Sequence, residues 1–214
     1  MTPQDASRRT EDICRRAPIV PVLVVEDTAH ARPLAEALVA GGLPALEVTL
    51  RTPAALDVIA AMAEVAGGIV GAGTLLTPED VKAAKAAGAT FGVSPGATDA
   101  LLDAAEAHEL PLLPGAATAS EAMRLLERGY DVLKFFPAEA AGGTALLKSL
   151  AGPLPQVRFC PTGGVSPANA GAYLALPNVL CAGGSWVAPK AAMTSGDWTG
   201  IEALAREAAA LRTV

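Results

Sequence analysis

A lysine stands in the middle of an apolar segment, in the sequence GYDVLKFFPAE of residues 129–139. Lys134 follows Val132 and Leu133 and precedes Phe135 and Phe136. Lysine is almost never fully buried unless its charge is paired or its amine has a function. Burial disfavours the charged form of an amine, and a neutral amine attacks carbonyl carbons to give a Schiff base. The segment therefore predicts either a reactive lysine or a buried ion pair.

A second polar set lies in the sequence ALEVTLR of residues 45–51. Successive side chains of a strand point to opposite faces, so Glu47, Thr49 and Arg51 share one face and the leucines and valine share the other. The apolar face is expected to meet helices, which turns the polar face inward. The same alternation turns Lys134 inward together with Phe136.

An inward lysine and an inward glutamate together can break carbon–carbon bonds. The iminium of a lysine Schiff base withdraws electrons, and a nearby carboxylate such as Glu47 moves protons on the adjacent carbons. The pair therefore predicts a class I aldolase. The alternative from spacing alone is a structural ion pair between Lys134 and Glu47, since such pairs also occur without catalysis. For Arg51 the alternative is a rim residue paired with an acidic loop.

Eight short apolar runs alternate with helical patterns and must position these side chains. Alternating strands and helices predict βαβ units, and eight units without a linker indicate a single (β/α)8 TIM barrel of class α/β. A doubly wound open sheet is the alternative, although no GxGxxG follows the first strand. The predicted strands lie within residues 19–25, 45–50, 68–73, 90–95, 110–117, 130–136, 156–164 and 178–184.

The 214 residues fit one domain of this kind. Residues 1–16 are predicted to form an additional N-terminal helix, with the barrel over residues 17–214. Active sites of such barrels lie at the carboxyl ends of the strands, where this sequence is polar or rich in glycine.

Two glycine pairs follow the last two predicted strands, in PTGGVSPAN and CAGGSWV. Glycines let backbone N–H groups approach an oxyanion, and many barrels bind phosphate with these two loops. The spacing further predicts a short extra helix that opens at Gly184 and Ser185, with Thr162 and Ser185 as possible hydroxyl donors. Tight turns without a ligand are the alternative.

Composition excludes several other classes of function. The net charge is −6, and a nucleic-acid-binding surface would instead be basic. The apolar run near residue 20 is too short to span a membrane. Three cysteines without a CxxC pair favour free thiols and a cytoplasmic protein. Two histidines without partners at ligand spacing argue against a metal site.

The motifs LEVTLRT, GAGT, SPG, KFFPAE, RFCPTGG and GGSW occur in this order between about residues 17 and 210. They resemble the bacterial 2-keto-3-deoxy-6-phosphogluconate (KDPG) aldolase family, also described as 2-keto-4-hydroxyglutarate (KHG) aldolase. The resemblance implies a (β/α)8 barrel, usually a homotrimer, that needs no metal or other cofactor. It implies cleavage of KDPG, a phosphorylated keto acid, to pyruvate and glyceraldehyde 3-phosphate in the Entner–Doudoroff pathway.

The same resemblance implies roles for particular residues. It assigns the Schiff base to Lys134 and general acid/base work to Glu47. Around the pyruvate end it places Arg51, Thr74, Pro95 and Phe136. Around the polar and phosphate end it places Thr162, Gly163, Gly164, Gly184 and Ser185.

Three alternatives remain open at this point. A 2-keto-3-deoxy-6-phosphogalactonate aldolase shares the chemistry and differs in the C4 configuration it accepts. A non-catalytic phosphosugar-binding barrel would use Lys134 only to pair with Glu47. A metal-dependent aldolase would lose activity with EDTA and regain it with a divalent ion.

Overall fold

Parallel strands alternate with helices along residues 1–211, the part of the chain that the computed structural model describes. The strands are β1 (Ile19–Leu23), β2 (Ala45–Thr49), β3 (Ile69–Gly73), β4 (Phe91–Val93), β5 (Leu112–Leu113), β6 (Gly115–Ala116), β7 (Val132–Phe135), β8 (Arg158–Pro161) and β9 (Ala182–Gly184). The helices are α1 (Pro3–Cys14), α2 (Ala31–Ala40), α3 (Ala55–Ala63), α4 (Pro78–Ala86), α5 (Asp99–Ala107), α6 (Ala119–Arg128), α7 (Gly143–Ala151), α8 (Ala170–Leu174), α9 (Lys190–Ser195) and α10 (Trp198–Ala209), with a 3-10 turn at Thr28–His30. Among these helices none is long and apolar enough to cross a bilayer.

The strands form two parallel sheets that share an α/β architecture. A six-stranded sheet has the order β5-β4-β3-β2-β1-β9, and a three-stranded sheet has the order β6-β7-β8. Two isolated parallel bridges, Phe159 with Val179 and Thr162 with Gly183, connect the ends of β8 and β9. Each of the eight predicted apolar runs contains a strand, and the predicted α/β class and N-terminal helix are confirmed.

The fifth predicted run differs from expectation because it contributes a strand to each sheet. Pro114 separates β5 from β6 and has no N–H to donate to a ladder. Its carbonyl accepts a hydrogen bond of 2.9 Å from Lys134 N. β5 therefore pairs with β4, whereas β6 pairs with β7.

Buried apolar side chains fall into two clusters, one on each face of the strands. The larger cluster packs strands against helices and includes Leu46, Val48, Leu133 and Phe135. The smaller cluster fills the interior between the sheets, and its buried members are Cys14, Val20, Ala45, Phe91, Val93, Leu113, Val132, Cys160, Leu180 and Cys181. The alternation predicted for both polar segments is confirmed.

Helix α1 lies against the amino-terminal ends of the strands. Cys14 is buried in the interior cluster, and Ile13 packs against it. The hydroxyl of Ser7 accepts a 3.0 Å hydrogen bond from Asp131 N, one residue before β7. A cavity of about 10 Å³ lies between α1 and the interior, and Thr10, Cys14 and Glu47 are among the residues that line it.

Replacement of Gly41 by alanine should destabilise the packing of α2 on α10. The backbone there has φ −75°, so the change adds no backbone strain. The new methyl carbon would lie 2.8 Å from the Glu202 carbonyl oxygen, closer than van der Waals contact. We expect Gly41→Ala to lower the free energy of unfolding in urea by about 1–3 kcal/mol.

Gly171→Ala is the matched control for this experiment. Gly171 lies in α8, and a Cβ there would meet no atom within 4 Å. Removing a helical glycine should leave stability unchanged or raise it by up to about 1 kcal/mol. Equal destabilisation by both variants would contradict the proposed steric origin.

Candidate active site

Lys134 and Glu47 form a buried ion pair between the two sheets. Lys134 lies on β7 and Glu47 on β2, and Lys134 Nζ donates to Glu47 Oε1 at 3.2 Å. Their side chains are only 3% and 4% exposed. Strand alternation predicts that both point inward, and the fold brings them into contact across 87 residues of sequence. An amine and a carboxylate therefore share one site that is almost completely closed to solvent.

Gly73, the last residue of β3, leaves the space that the Glu47 side chain occupies. A Cβ at this position would lie 2.7 Å from Glu47 Cγ and 2.9 Å from Glu47 Cδ. Sequence analysis did not identify Gly73 as part of the site. The feature of the sequence that could have identified Gly73 is its place at the carboxyl end of a strand, directly before Thr74 in GAGT.

Arg51 and Thr74 meet at the carboxyl ends of β2 and β3. Arg51 Nε donates to Thr74 Oγ1 at 3.1 Å. Thr74 has φ 62°, a left-handed conformation that is uncommon outside glycine and is found preferentially at functional sites. The partner of Arg51 is thus a hydroxyl beside the site, not the acidic loop residue that the alternative interpretation required.

Phe136 lies between Lys134 and the turn of Gly163 and Gly164 that follows β8, which is called the first glycine turn. Lys134 Nζ lies 5.2 Å from the centre of the Phe136 ring, within the range of a cation–π contact. On its other side the ring approaches Gly163, where a Cβ would lie 3.2 Å from Phe136 Cε2. The ring therefore forms a wall between the amine and the turn.

Pro95 lies in the loop after β4 and packs against β6. A Cβ on Gly115 would be 2.6 Å from the backbone nitrogen of Gly96, so Gly115 permits a close approach of this loop. Gly115 is the register partner of Lys134. Pro95, which is half-buried, consequently lies near the strand that carries the lysine.

The first glycine turn follows β8 and has a conformation that glycine alone adopts easily. Gly163 has φ 99° and Gly164 has φ 80°. Thr162 before them is buried, and its hydroxyl has no hydrogen-bond partner within residues 1–211. Gly183 lies against it, since a Cβ there would be 2.9 Å from Thr162 Cγ2. The Thr162 side chain therefore packs directly against β9 at Gly183.

The second glycine pair differs from the sequence prediction. Gly184 is the last residue of β9 and is buried, and Ser185 is exposed. The extra helix exists as α9, but it begins at Lys190, so a helix opening at Gly184 and Ser185 was wrong. Pro189 has extended backbone angles, φ −63° and ψ 136°, and proline also disfavours helix in the residue before it.

The three thiols gather in the interior cluster below the ion pair. Cys14, Cys160 and Cys181 are all buried and free. Hydrogen bonding to Cys14 and Cys160, together with burial, raises the pKa of the Cys181 thiol. In the described part of the chain, no group of three His, Cys, Asp or Glu side chains is arranged to hold a metal ion.

A buried lysine beside a glutamate on parallel strands fits the class I aldolases, which work through a Schiff base on a lysine. A family model described as KDPG and KHG aldolase matches residues 10–204. The chain therefore belongs to the KDPG and KHG aldolase family.

Relatives and solved structures agree with this assignment. A 2-dehydro-3-deoxy-phosphogluconate aldolase of Pseudoalteromonas atlantica is 53% identical, with 94% of each chain covered. The KDPG aldolase structure of Zymomonas mobilis with 3-phosphoglycerate is 51% identical, has a TM-score of 0.92 and covers 97% of this chain and 98% of its own. The Legionella pneumophila KDPG aldolase, with pyruvate as a covalent carbinolamine, is 45% identical, has a TM-score of 0.91 and covers 94% and 98%.

Gly73→Ala should displace the Glu47 carboxylate from Lys134 without a change in either residue. The added methyl group needs the space of Glu47 Cγ and Cδ. If Glu47 transfers protons as its position predicts, kcat for cleavage of KDPG should fall towards that of Glu47→Gln, in which proton transfer worth about 10² to 10⁴-fold is lost. Steady-state kinetics with both variants measures the effect. Thermal unfolding curves are recorded first, to establish that both variants are folded like the wild type. Wild-type turnover in Gly73→Ala would contradict it.

Proposed function

We propose that this chain cleaves KDPG reversibly to pyruvate and glyceraldehyde 3-phosphate, the aldol reaction of the Entner–Doudoroff pathway. The observation that carries the proposal is the buried contact between Lys134 and Glu47 at 3.2 Å. Membership of the KDPG and KHG aldolase family supports the substrate, and the covalent pyruvate in the Legionella relative supports the Schiff base. The chain needs no cofactor in this reaction.

The first half of the reaction attaches the substrate to Lys134. Glu47 accepts a proton from the amine, and Lys134 Nζ then adds to the C2 ketone to form a carbinolamine. Glu47, directly or through a water molecule, returns a proton to the departing oxygen. Loss of water leaves an iminium between Lys134 and C2, which is the electron sink for the next step.

The second half breaks the C3–C4 bond. Glu47 removes the proton of the C4 hydroxyl, the C4 carbonyl forms, and the bonding electrons move to the iminium as an enamine. Glyceraldehyde 3-phosphate leaves, and Glu47 gives its proton to C3 of the enamine. Water then adds to the resulting pyruvate iminium and frees Lys134, so protons and electrons balance over the cycle.

Four residues around Lys134 are proposed to bind the pyruvate part of the substrate. Arg51 and Thr74, joined at 3.1 Å, can receive its carboxylate together, since a guanidinium matches the geometry of a carboxylate. Phe136 and Pro95 are proposed to close the pocket around the methylene end. Phe136 and Pro95 are both half-buried, as expected of side chains that line a pocket, and this supports the assignment.

The turn of Gly163 and Gly164 after β8, together with the end of β9, is proposed to hold the polar and phosphate end. Thr162 supplies a buried hydroxyl without a partner, and the turn of Gly163 and Gly164 supplies backbone N–H groups. Gly184 and the exposed hydroxyl of Ser185 face the same edge after β9. Backbone N–H groups in such turns bind anions.

A second activity, cleavage of KHG, uses the same chemistry on a smaller keto acid. The family name covers both substrates. Nothing in the ion pair of Lys134 and Glu47 depends on the phosphate, so we propose KHG cleavage as a slower side reaction.

We also propose that the two sheets form one closed (β/α)8 barrel, in one domain that starts at residue 17. Counting β5 and β6 as one strand interrupted at Pro114 gives eight strands. The bridges Phe159–Val179 and Thr162–Gly183 support closure between β8 and β9. Helix α1 is then a cap on the amino end of that domain.

A cytoplasmic homotrimer is the proposed assembly and location. Three free thiols in one cluster suit a reducing compartment. Leu56 and Leu76, which follow the adjacent strands β2 and β3, are exposed apolar side chains and support a contact between chains near this edge.

Borohydride reduction in the presence of pyruvate should leave a stable adduct on Lys134. Reduction converts the pyruvate iminium to a secondary amine, which peptide mass spectrometry locates. Lys134→Ala is the control and should remain unmodified. A wild-type protein without the adduct would support the non-catalytic barrel, in which Lys134 only pairs with Glu47.

Comparison of the two C4 epimers tests the named substrate. We expect kcat/KM for KDPG to exceed that for 2-keto-3-deoxy-6-phosphogalactonate, because the chain is 53% identical to a phosphogluconate aldolase. Both assays can couple pyruvate release to lactate dehydrogenase. A preference for the galacto epimer would assign the chain to the alternative substrate.

A further inference from the structure

Glu139 is an acidic residue beside the proposed phosphate end that the mechanism does not use. It lies in the loop after β7, three residues beyond Phe136. Its carboxylate accepts a hydrogen bond from the hydroxyl of Tyr173 on α8. Tyr173 is completely buried, so this contact fixes an otherwise exposed glutamate to the body of the protein.

The side chain of Glu139 lies directly across the Gly163–Gly164 turn. A Cβ at Gly164 would be 2.6 Å from Glu139 Cγ and 2.7 Å from Glu139 Cβ. The backbones are also joined, since Glu139 N donates to Gly163 O at 3.1 Å and Ala138 N donates to Thr162 O at 2.8 Å. The loop after β7 and the turn after β8 therefore form one unit.

Asn169 holds the same turn from its other end. Its Nδ2 donates to Gly164 O at 3.0 Å, and its Oδ1 accepts from Ser166 N at 2.8 Å. Both turn carbonyls are thus engaged by the protein. The N–H of Gly164 donates to no acceptor within residues 1–211, which leaves it available to an anion.

We propose that Glu139, held by Tyr173, is a positioning residue that fixes the Gly163–Gly164 turn for binding of the substrate phosphate. The inference rests on the proposed function. Two glycines with positive φ have many alternative conformations, and a turn that must order itself on binding loses affinity. Burial and the neighbouring Glu139 carboxylate raise the pKa of Tyr173, so its hydroxyl keeps the proton that it donates.

The arrangement also accounts for a negative charge so close to a phosphate site. A free carboxylate would repel the dianion, whereas a carboxylate tied to Tyr173 is held on the α8 side of the turn. The loss of Glu139 should therefore weaken phosphate binding, although simple removal of a negative charge would strengthen it. A positioning role and a purely electrostatic role of Glu139 therefore predict opposite changes in phosphate affinity when Glu139 is replaced.

Glu139→Ala should raise KM for KDPG and leave kcat unchanged. We expect an increase of about tenfold, the effect of losing one hydrogen bond of ordinary strength that orders the turn. KM for unphosphorylated 2-keto-3-deoxygluconate should not change. Glu139→Gln keeps an acceptor for Tyr173 and should restore KM, and Tyr173→Phe should raise KM by a few-fold.

Glu127→Gln is the matched charge control. Glu127 is an exposed acid on α6, and its substitution removes one negative charge at a distance from the turn. It should have the KM of the wild type. Ser185→Ala, at the other proposed phosphate contact, is the positive reference and should also raise KM only for phosphorylated substrate.

Inorganic phosphate gives a measurement that does not depend on turnover. Its inhibition constant against unphosphorylated substrate should rise in Glu139→Ala by the same factor as KM for KDPG. Equal KM for KDPG in Glu139→Ala and the wild type, or an equal rise for both substrates, would overturn the inference. Borohydride trapping of pyruvate on Lys134 separates this result from failure of the proposed function, since pyruvate carries no phosphate.

Discussion

The contact between Lys134 and Glu47 is the constraint around which the interior is organised. Two charged groups with side chains 3% and 4% exposed are stable only when each has a partner, because removal of one partner from such a pair costs about 3–5 kcal/mol. The two residues come from different sheets, so both sheets must keep their relative position for the pair to exist. Gly73 supplies the space, and the apolar interior cluster excludes the water that would compete for the pair.

The surrounding residues divide the site into two halves on either side of Phe136. One half carries fixed side chains, with Arg51 bonded to Thr74. The other half is mainly backbone, in turns where Gly163 and Gly164 have positive φ. In the proposed binding mode, the substrate carboxylate meets the guanidinium of Arg51, whereas the phosphate meets N–H groups whose direction depends on the conformation of the turn. Glu139 packs against this turn and Asn169 donates a hydrogen bond to it, so under the proposal these two neighbours set the direction of its N–H groups.

Much of this arrangement follows from sequence because it depends on local periodicity. Alternation within two strands was sufficient to turn Lys134 and Glu47 inward. The first glycine pair marked a turn, whereas the second pair, Gly183 and Gly184, lies within β9. Contacts between distant segments were not predictable in this way. The hydrogen bond from Tyr173 to Glu139 joins residues 34 apart, and the role of Gly73 depends on a side chain from another strand. The start of α9 at Lys190 does not follow from the GGSW motif, because Pro189 is extended and disfavours a helical conformation in the residue before it.

The position of helix α1 has a consequence for the entry of substrate and the release of products. Cys14 and Ile13 pack into the interior cluster and fill its amino end, whereas Arg51 and Thr74 lie at the carboxyl ends of the strands. Under the proposed mechanism, substrate, water and both products then share a single opening. Pyruvate, attached to Lys134 at the bottom, leaves only after the aldehyde has vacated the space above it. The order of product release would then follow from the covalent bond to Lys134, and the filled amino end would give both products the same direction of exit.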